Sequence, residues 1–142
     1  WYYFRSCEVD TLSDEVIEVT AEHAQRLRSP LTAFPIFHLG GAVAQMGDDD
    51  TAFHGRTSGH IFNINATTSA RDGFDAEREW SRTFWTALQP YQRGVYVNFL
   101  MDEGDQRVRE AYGPAKYDRL RALKRRYDPD NVFCHNQNIP PA

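Results

Sequence analysis

The stretch His60-Ile61-Phe62-Asn63-Ile64-Asn65-Ala66 decides the fold. His60, Phe62, Ile64 and Ala66 form one set and Ile61, Asn63 and Asn65 the other, the period-two pattern of a strand whose side chains point alternately to two faces. One set is largely apolar and the other unusually polar. The strand predicted over residues 59–66 therefore belongs to a sheet with one face packed on a core and the other left for polar work. Upstream, residues 1–9 begin Trp1-Tyr2-Tyr3-Phe4 and read as a second strand. Leu31 to Leu39, apolar and broken by Pro35, suits an edge or irregular strand. Ala42 to Met46 is a short strand candidate, and Val95 to Leu100 a brief one with Tyr96, Asn98 and Leu100 on the same side.

Helical patterns lie between these strands. Ser13 stands as N-cap before Asp14-Glu15, and Val16, Thr20, Ala24 and Leu27, with Ile17 and Ala21 beside them, recur at helical spacing as far as Arg28. Ser29-Pro30 ends that helix. Trp80, Phe84 and Leu88, with Ala87 beside them, mark a second helix over residues 75–88, closed by Pro90. A short helix spans Asp105 to Tyr112, and Pro114 is suited to the first turn of another, whose stripe is Tyr117, Leu120, Leu123 and Tyr127. The expected fold class is α+β: an antiparallel sheet carrying helices on one face, then a mostly helical tail beginning near Arg93-Gly94.

The 142 residues fit one ordinary domain, and 41% hydrophobic with 25% charged residues excludes disorder by composition. A net charge of −4 argues against nucleic-acid binding through a broad positive surface. No run of about 18 apolar residues is present, so the sequence holds no candidate membrane-spanning helix. Cys7 and Cys134, near opposite ends, are too few for a disulfide framework and read as free thiols. The aromatic start at Trp1 would be costly to expose, and reads as a stretch once interior to a longer polypeptide or paired with a partner chain.

Several constellations could carry chemistry. Tyr96 and Asn98, two apart on the expected strand, would project to one face and address one ligand with a phenol and an amide; a buried Tyr and a turn Asn are the bland alternative. Asn136-Gln137-Asn138 places three amides in a row, offering the donors and acceptors that a heterocycle with alternating carbonyls and N–H groups requires; a solvated tail is the alternative. His54 and His60 lack a third ligand and any metal spacing, and with His38 read as hydrogen-bonded structural residues, so no metal site is expected. The bases from Arg119 to Arg126 complement the negative end of a helix dipole and stay solvated. No Gly-rich phosphate loop, nucleophile elbow or Cys-x-x-Cys pair is present.

Taken together, Gly94-Val95-Tyr96-Val97-Asn98-Phe99-Leu100, Glu103-Gly104, Ala111-Tyr112-Gly113, Tyr117-Asp118-Arg119-Leu120, Leu123 to Asn131 and Asn136-Gln137-Asn138-Ile139 closely resemble the ending of berberine bridge enzyme-like FAD-linked oxidases, flavoproteins of the vanillyl-alcohol oxidase type. His38 to Ala44 and Thr51 to Arg56 resemble substrate-domain strands of that family, although Gly55 separates His54 from Arg56 where the family has the two adjacent. The resemblance implies a C-terminal fragment: residues 1–92 as the last part of the substrate-binding domain, and residues 93–142 as a segment returning to an FAD-binding domain. It implies FAD as cofactor, the N-terminal FAD-binding half as partner, and a small-molecule substrate, while charge and hydropathy give the expectation of no nucleic acid and no membrane as partners.

The same resemblance implies oxidation of an alcohol, sugar or secondary metabolite by hydride transfer to flavin, with O2 as acceptor. Tyr96 falls on the family's Tyr-x-Asn tyrosine, which acts as base in sugar-oxidising members. A phenol, ordinarily with a pKa of about 10, needs nearby positive charge or hydrogen bonds for that role. Tyr96, Asn98, Gln137 and Asn138 are the expected flavin neighbours. Asn63 and Asn65 are expected to face substrate, on alternation alone. A non-catalytic flavin- or ligand-binding scaffold and an independent interaction domain are the competing readings.

Overall fold

The computed structural model describes residues 1–56, 59–101 and 103–142. Four antiparallel strands form its sheet: β1 (Tyr2–Val9), β2 (Ile36–His38), β3 (His60–Thr67) and β4 (Gln92–Gly94), in the order β2-β3-β1-β4. The helices are α1 (Asp14–Ala24), α2 (Ala42–Gln45), α3 (Phe74–Leu88), α4 (Asp105–Tyr112) and α5 (Pro114–Tyr127). The α+β class expected from the pattern is the one observed. Among the described residues no helix is long and apolar enough to cross a membrane.

Cross-strand register explains the two faces. Cys7 pairs with Phe62 and Val9 with His60, so these residues share a face with Ile64 and Ala66. Against that face lies α3, whose Trp80, Phe84 and Leu88 join Cys7, Val9, Val16, Phe62 and Ile64 in the main core. Phe84 is fully buried and meets Phe62 and Phe34 edge-on. Each such side chain contributes about 1.5–3 kcal/mol through removal from water. Tyr2, Phe4, Ser6 and Glu8 of β1, and Ile61, Asn63 and Asn65 of β3, fall by the same register on the opposite face.

Ser13 caps α1 as expected, its Oγ accepting from the Val16 N–H at 3.4 Å. The helix stops at Ala24, four residues short of the expected Arg28, and its inner face is rotated. His23 rather than Ala21 or Ile17 is buried, stacking on Phe84 at 4.8 Å, while Ile17 is exposed. Ala42–Gln45 is a helical turn, not a strand: Gly41 takes a positive φ of 56° and turns the chain off the sheet edge.

Val95 to Leu100 is not a strand either. Only Gln92–Gly94 pairs with β1, and Val97–Phe99 closes a 3₁₀ turn. Val95 and Leu100 leave the sheet to join a second apolar cluster with Val108, Ala111 and Tyr117 of α4 and α5. On α5 Tyr117 is buried, but Leu123 and Tyr127 are exposed, so the expected four-residue stripe is covered at its N-terminal end only.

Candidate functional site

The 3₁₀ turn brings Tyr96 and Asn98 together by another route than the one expected. They do not share the face of a strand; instead Asn98 Nδ2 donates to Tyr96 Oη at 2.6 Å across the turn. The turn is held by Phe99 N–H donating to Tyr96 O (2.9 Å) and Leu100 N–H donating to Val97 O (3.2 Å), with Val95 and Leu100 buried on either side. The Tyr96 ring is fixed by an edge contact with Phe99 (5.0 Å) and a tilted contact with Phe53 (5.7 Å).

This turn separates two cavities on the sheet face opposite α3. The larger, about 680 Å³, is lined by Tyr2 and Phe4 of β1, Asn98, Tyr112 and the tail residues Asn136 and Gln137, among others. Tyr2 and Phe4 lie parallel, 6.2 Å apart with a 6° interplanar angle, as a flat aromatic wall. Burial raises the Tyr112 phenol above its ordinary pKa. The smaller cavity, about 430 Å³, is lined by Phe37, Phe53, Arg56, Ile61, Tyr96 and Phe99, with Leu39 and Val43 completing it.

Gln137 anchors the tail. Its Nε2 donates to Leu100 O (2.9 Å) and Met101 O (3.1 Å), so the side chain keeps Oε1 as its acceptor at the cavity wall. Asn138 is half-buried beside it; its backbone N–H donates to Asn136 O (3.0 Å), and its Oδ1 is buried without a partner. Asn63 and Asn65 share the open face with Phe4, but neither forms part of the wall of either cavity. The Asn63 Oδ1 is buried without a partner, as is Oγ of Ser6, its cross-strand neighbour. Asn98 and Gln137 thus meet at one cavity, Tyr96 opens on the other, and the two strand asparagines sit apart on the sheet.

Sequence reading missed two features. Lys116 of α5 is buried, with Nζ donating to Phe53 O at 2.7 Å and pairing with Asp48 at 3.0 Å. Asp48 also meets His54 Nδ1 at 3.1 Å, and the His54 ring packs close to Gly113. Burial pushes the Asp48 carboxyl up, but hydrogen bonds from Lys116 and His54 and their charges outweigh it, leaving Asp48 below the ordinary carboxylate range. His54 is a hydrogen-bonded structural residue in this staple. The second feature is Arg56, whose seclusion in the smaller cavity no spacing rule signals. Nor are all the bases of α5 merely solvated. Arg121 donates to Pro140 O and Pro141 O, and Lys124 to Phe133 O (2.6 Å), holding the tail along the helix. Among the described residues no cluster of three or more His, Cys, Asp or Glu could hold a metal ion.

An antiparallel sheet with helices on one face, and an aromatic and carboxamide-lined tail on the other, defines an α+β protein with two cavities on its open face. Residues 95–140 match the family model described as berberine and berberine-like. The FAD-linked oxidoreductase YvdP of Bacillus subtilis is 30% identical over 133 residues, covering 94% of this chain and 30% of the relative. The monolignol oxidoreductase AtBBE-like 13 of Arabidopsis thaliana is 32% identical over 127 residues, covering 79% and 23% respectively. Among solved structures, wild-type BBE-like 1 of Physcomitrella patens superposes with a TM-score of 0.85 at 23% identity, covering 99% of this chain and 30% of that one. Residues 95–140 thus carry the berberine and berberine-like segment, and the chain over nearly its whole length is similar to FAD-linked oxidoreductases of the berberine bridge enzyme-like kind. The chain spans 30% and 23% of the length of the two curated relatives named.

Proposed function

We propose that this chain is part of an FAD-dependent oxidoreductase that oxidises an alcohol, sugar or secondary metabolite, with O2 as the acceptor that returns the flavin to its oxidised form. The observation that carries the reading is the 2.6 Å hydrogen bond from Asn98 to the Tyr96 oxygen, made at the boundary of two cavities inside the segment that matches the family. Residues 1–92 are the end of a substrate-binding domain, and residues 93–142 return to an FAD-binding domain carried by polypeptide beyond this chain. The two separate apolar clusters support that division.

The donor set suits a flat heterocycle with alternating carbonyls and N–H groups. Asn98 supplies a carboxamide, Gln137 an acceptor oxygen, and Asn138 a buried Oδ1 that lacks a partner within the chain. Tyr96, Asn98, Gln137 and Asn138 are the residues that would hold the isoalloxazine ring of FAD. Bound there, FAD supplies the acceptor for the substrate's hydride. Tyr96 takes the proton from the substrate hydroxyl. It does so as the phenolate, and the Asn98 N–H aimed at its oxygen favours that ionised form, because hydrogen bonds to ionised acceptors are the stronger kind. Asn63 and Asn65 line neither cavity, so no substrate contact is assigned to them.

Anaerobic mixing of the flavin-loaded protein with a panel of alcohols and sugars tests this. Bleaching of the flavin is the expected result, slowed about 10²–10⁴-fold in Tyr96→Phe. Reduction at the normal rate in that variant removes Tyr96 as the base. Failure of the whole panel to bleach the flavin favours a binding scaffold.

A further inference from the structure

The smaller cavity holds a second polar group besides the Tyr96 phenol. Arg56 is 8% exposed, and its guanidinium carbon lies 5.1 Å from the centre of the Phe53 ring. One Nη donates to Thr51 Oγ1, while Nε is buried without a partner. Arg56 takes no part in the ion pairs formed between the described residues. A cation withdrawn from water is tolerated when an acceptor or an opposite charge completes it, and the acceptor within the chain, a single hydroxyl, leaves this fork half used. The remaining wall is apolar and mainly aromatic, with Phe37, Phe53, Ile61 and Phe99, and its volume of about 430 Å³ falls among those of small-molecule sites.

Phe53 touches both polar groups: the guanidinium stacks on its ring, and the Tyr96 ring lies 5.7 Å from it. A ligand filling the cavity therefore meets a cation, aromatic walls and a phenol. We propose that this cavity receives the substrate, and that the substrate is a small aromatic or otherwise apolar molecule bearing an anionic oxygen, which Arg56 binds while the oxidisable end lies at Tyr96. The assignment rests on the reading of Tyr96 as a substrate-facing residue and narrows the substrate class from it. A neutral sugar would leave the guanidinium unmatched and its hydroxyls against phenyl walls. An apolar carboxylate satisfies both surfaces, and the planar fork of arginine suits two carboxylate oxygens better than a lysine would.

Calorimetric titration of the flavin-loaded protein with phenylacetate and with its neutral analogue phenylacetamide tests the site. The acid is expected to bind at least about tenfold more tightly than the amide. Arg56→Gln should erase that preference, and Arg56→Lys should keep part of it. Equal binding of acid and amide, binding of neither, or a preference that survives Arg56→Gln overturns the proposal. Should Arg56→Gln fail to fold, the wild-type pair and Arg56→Lys still decide. The readout is heat of binding, so it stands apart from flavin bleaching: absence of turnover would count against the proposed activity and leave this comparison intact.

Discussion

The carboxamide of Asn98 donates to the phenol oxygen of Tyr96 across a single 3₁₀ turn, at 2.6 Å. A turn fixed at both ends by buried Val95 and Leu100 holds this pair more firmly than side chains on a frayed strand end, because the backbone on either side cannot shift without opening the second apolar cluster. The geometry keeps a donor on the phenol oxygen, where it favours the ionised form that a base requires.

Asn98→Ala removes that donor and leaves the ring contacts of Tyr96 with Phe53 and Phe99 in place. A hydrogen bond to a charged group is worth about 1.5–3 kcal/mol, so flavin reduction is expected to slow by about 10–100-fold. Because the donor acts on the phenolate base and not on the substrate, KM should stay near the wild-type value. Stopped-flow reduction against substrate concentration separates the two parameters.

Gln137→Ala frees two acceptors, the carbonyls of Leu100 and Met101, from the side chain that bridges them to the tail. Loss of about 1–3 kcal/mol is expected in urea denaturation, since partly buried carbonyls lose their donors. Limited proteolysis should cut the tail beyond residue 131 sooner in this variant than in wild type.

Asp48 is held below the ordinary carboxylate range by Lys116 and His54. A carboxylate with a depressed folded-state pKa stabilises the fold above its unfolded value, about 3.9, and that contribution is lost as pH falls through the folded value. Asp48→Asn should therefore lower Tm at neutral pH, with the gap to wild type closing as the pH is taken below about 4. Thermal melts followed by circular dichroism across that range give the answer.

The two thiols should differ sharply. Burial pushes the Cys7 thiol up to about 12, whereas Cys134 is exposed. Thiolate is the reactive form, so iodoacetamide at mildly alkaline pH should add once to the native protein, at Cys134, and at both cysteines after denaturation. Peptide mass spectrometry locates the adducts.

Much of the fold could be read directly from the residues. The alternation from His60 to Ala66 places Phe62 and Ile64 on the core face, and the spacing of Trp80, Phe84 and Leu88 places α3 on it. Gly113-Pro114 marks the break between α4 and α5 as observed. Val95 to Leu100 misled, because six alternating residues satisfy both a strand and a turn whose ends are buried. What decides between them is α4 and α5, which cover Val95 and Leu100 from a distance in sequence. Leu123 and Tyr127 misled for the converse reason: helical spacing makes a stripe, but a stripe is buried only where something packs against it.

The residues of the candidate site divide in the same way. Tyr96, Asn98, Gln137 and Asn138 could be singled out by type and order, since a phenol and carboxamides carry their chemistry wherever they lie. That Gln137 spends its amide on Leu100 and Met101, that Asn63 stands off from both cavities, and that Arg56 is enclosed among phenyl rings follow from contacts between distant segments. Local pattern determined which segments become strands and helices over most of the chain, because the covalent spacing of apolar side chains sets which face each can bury. Tertiary structure alone decided where the polar groups point and which remain unpaired, because desolvation depends on what the rest of the chain brings to cover them.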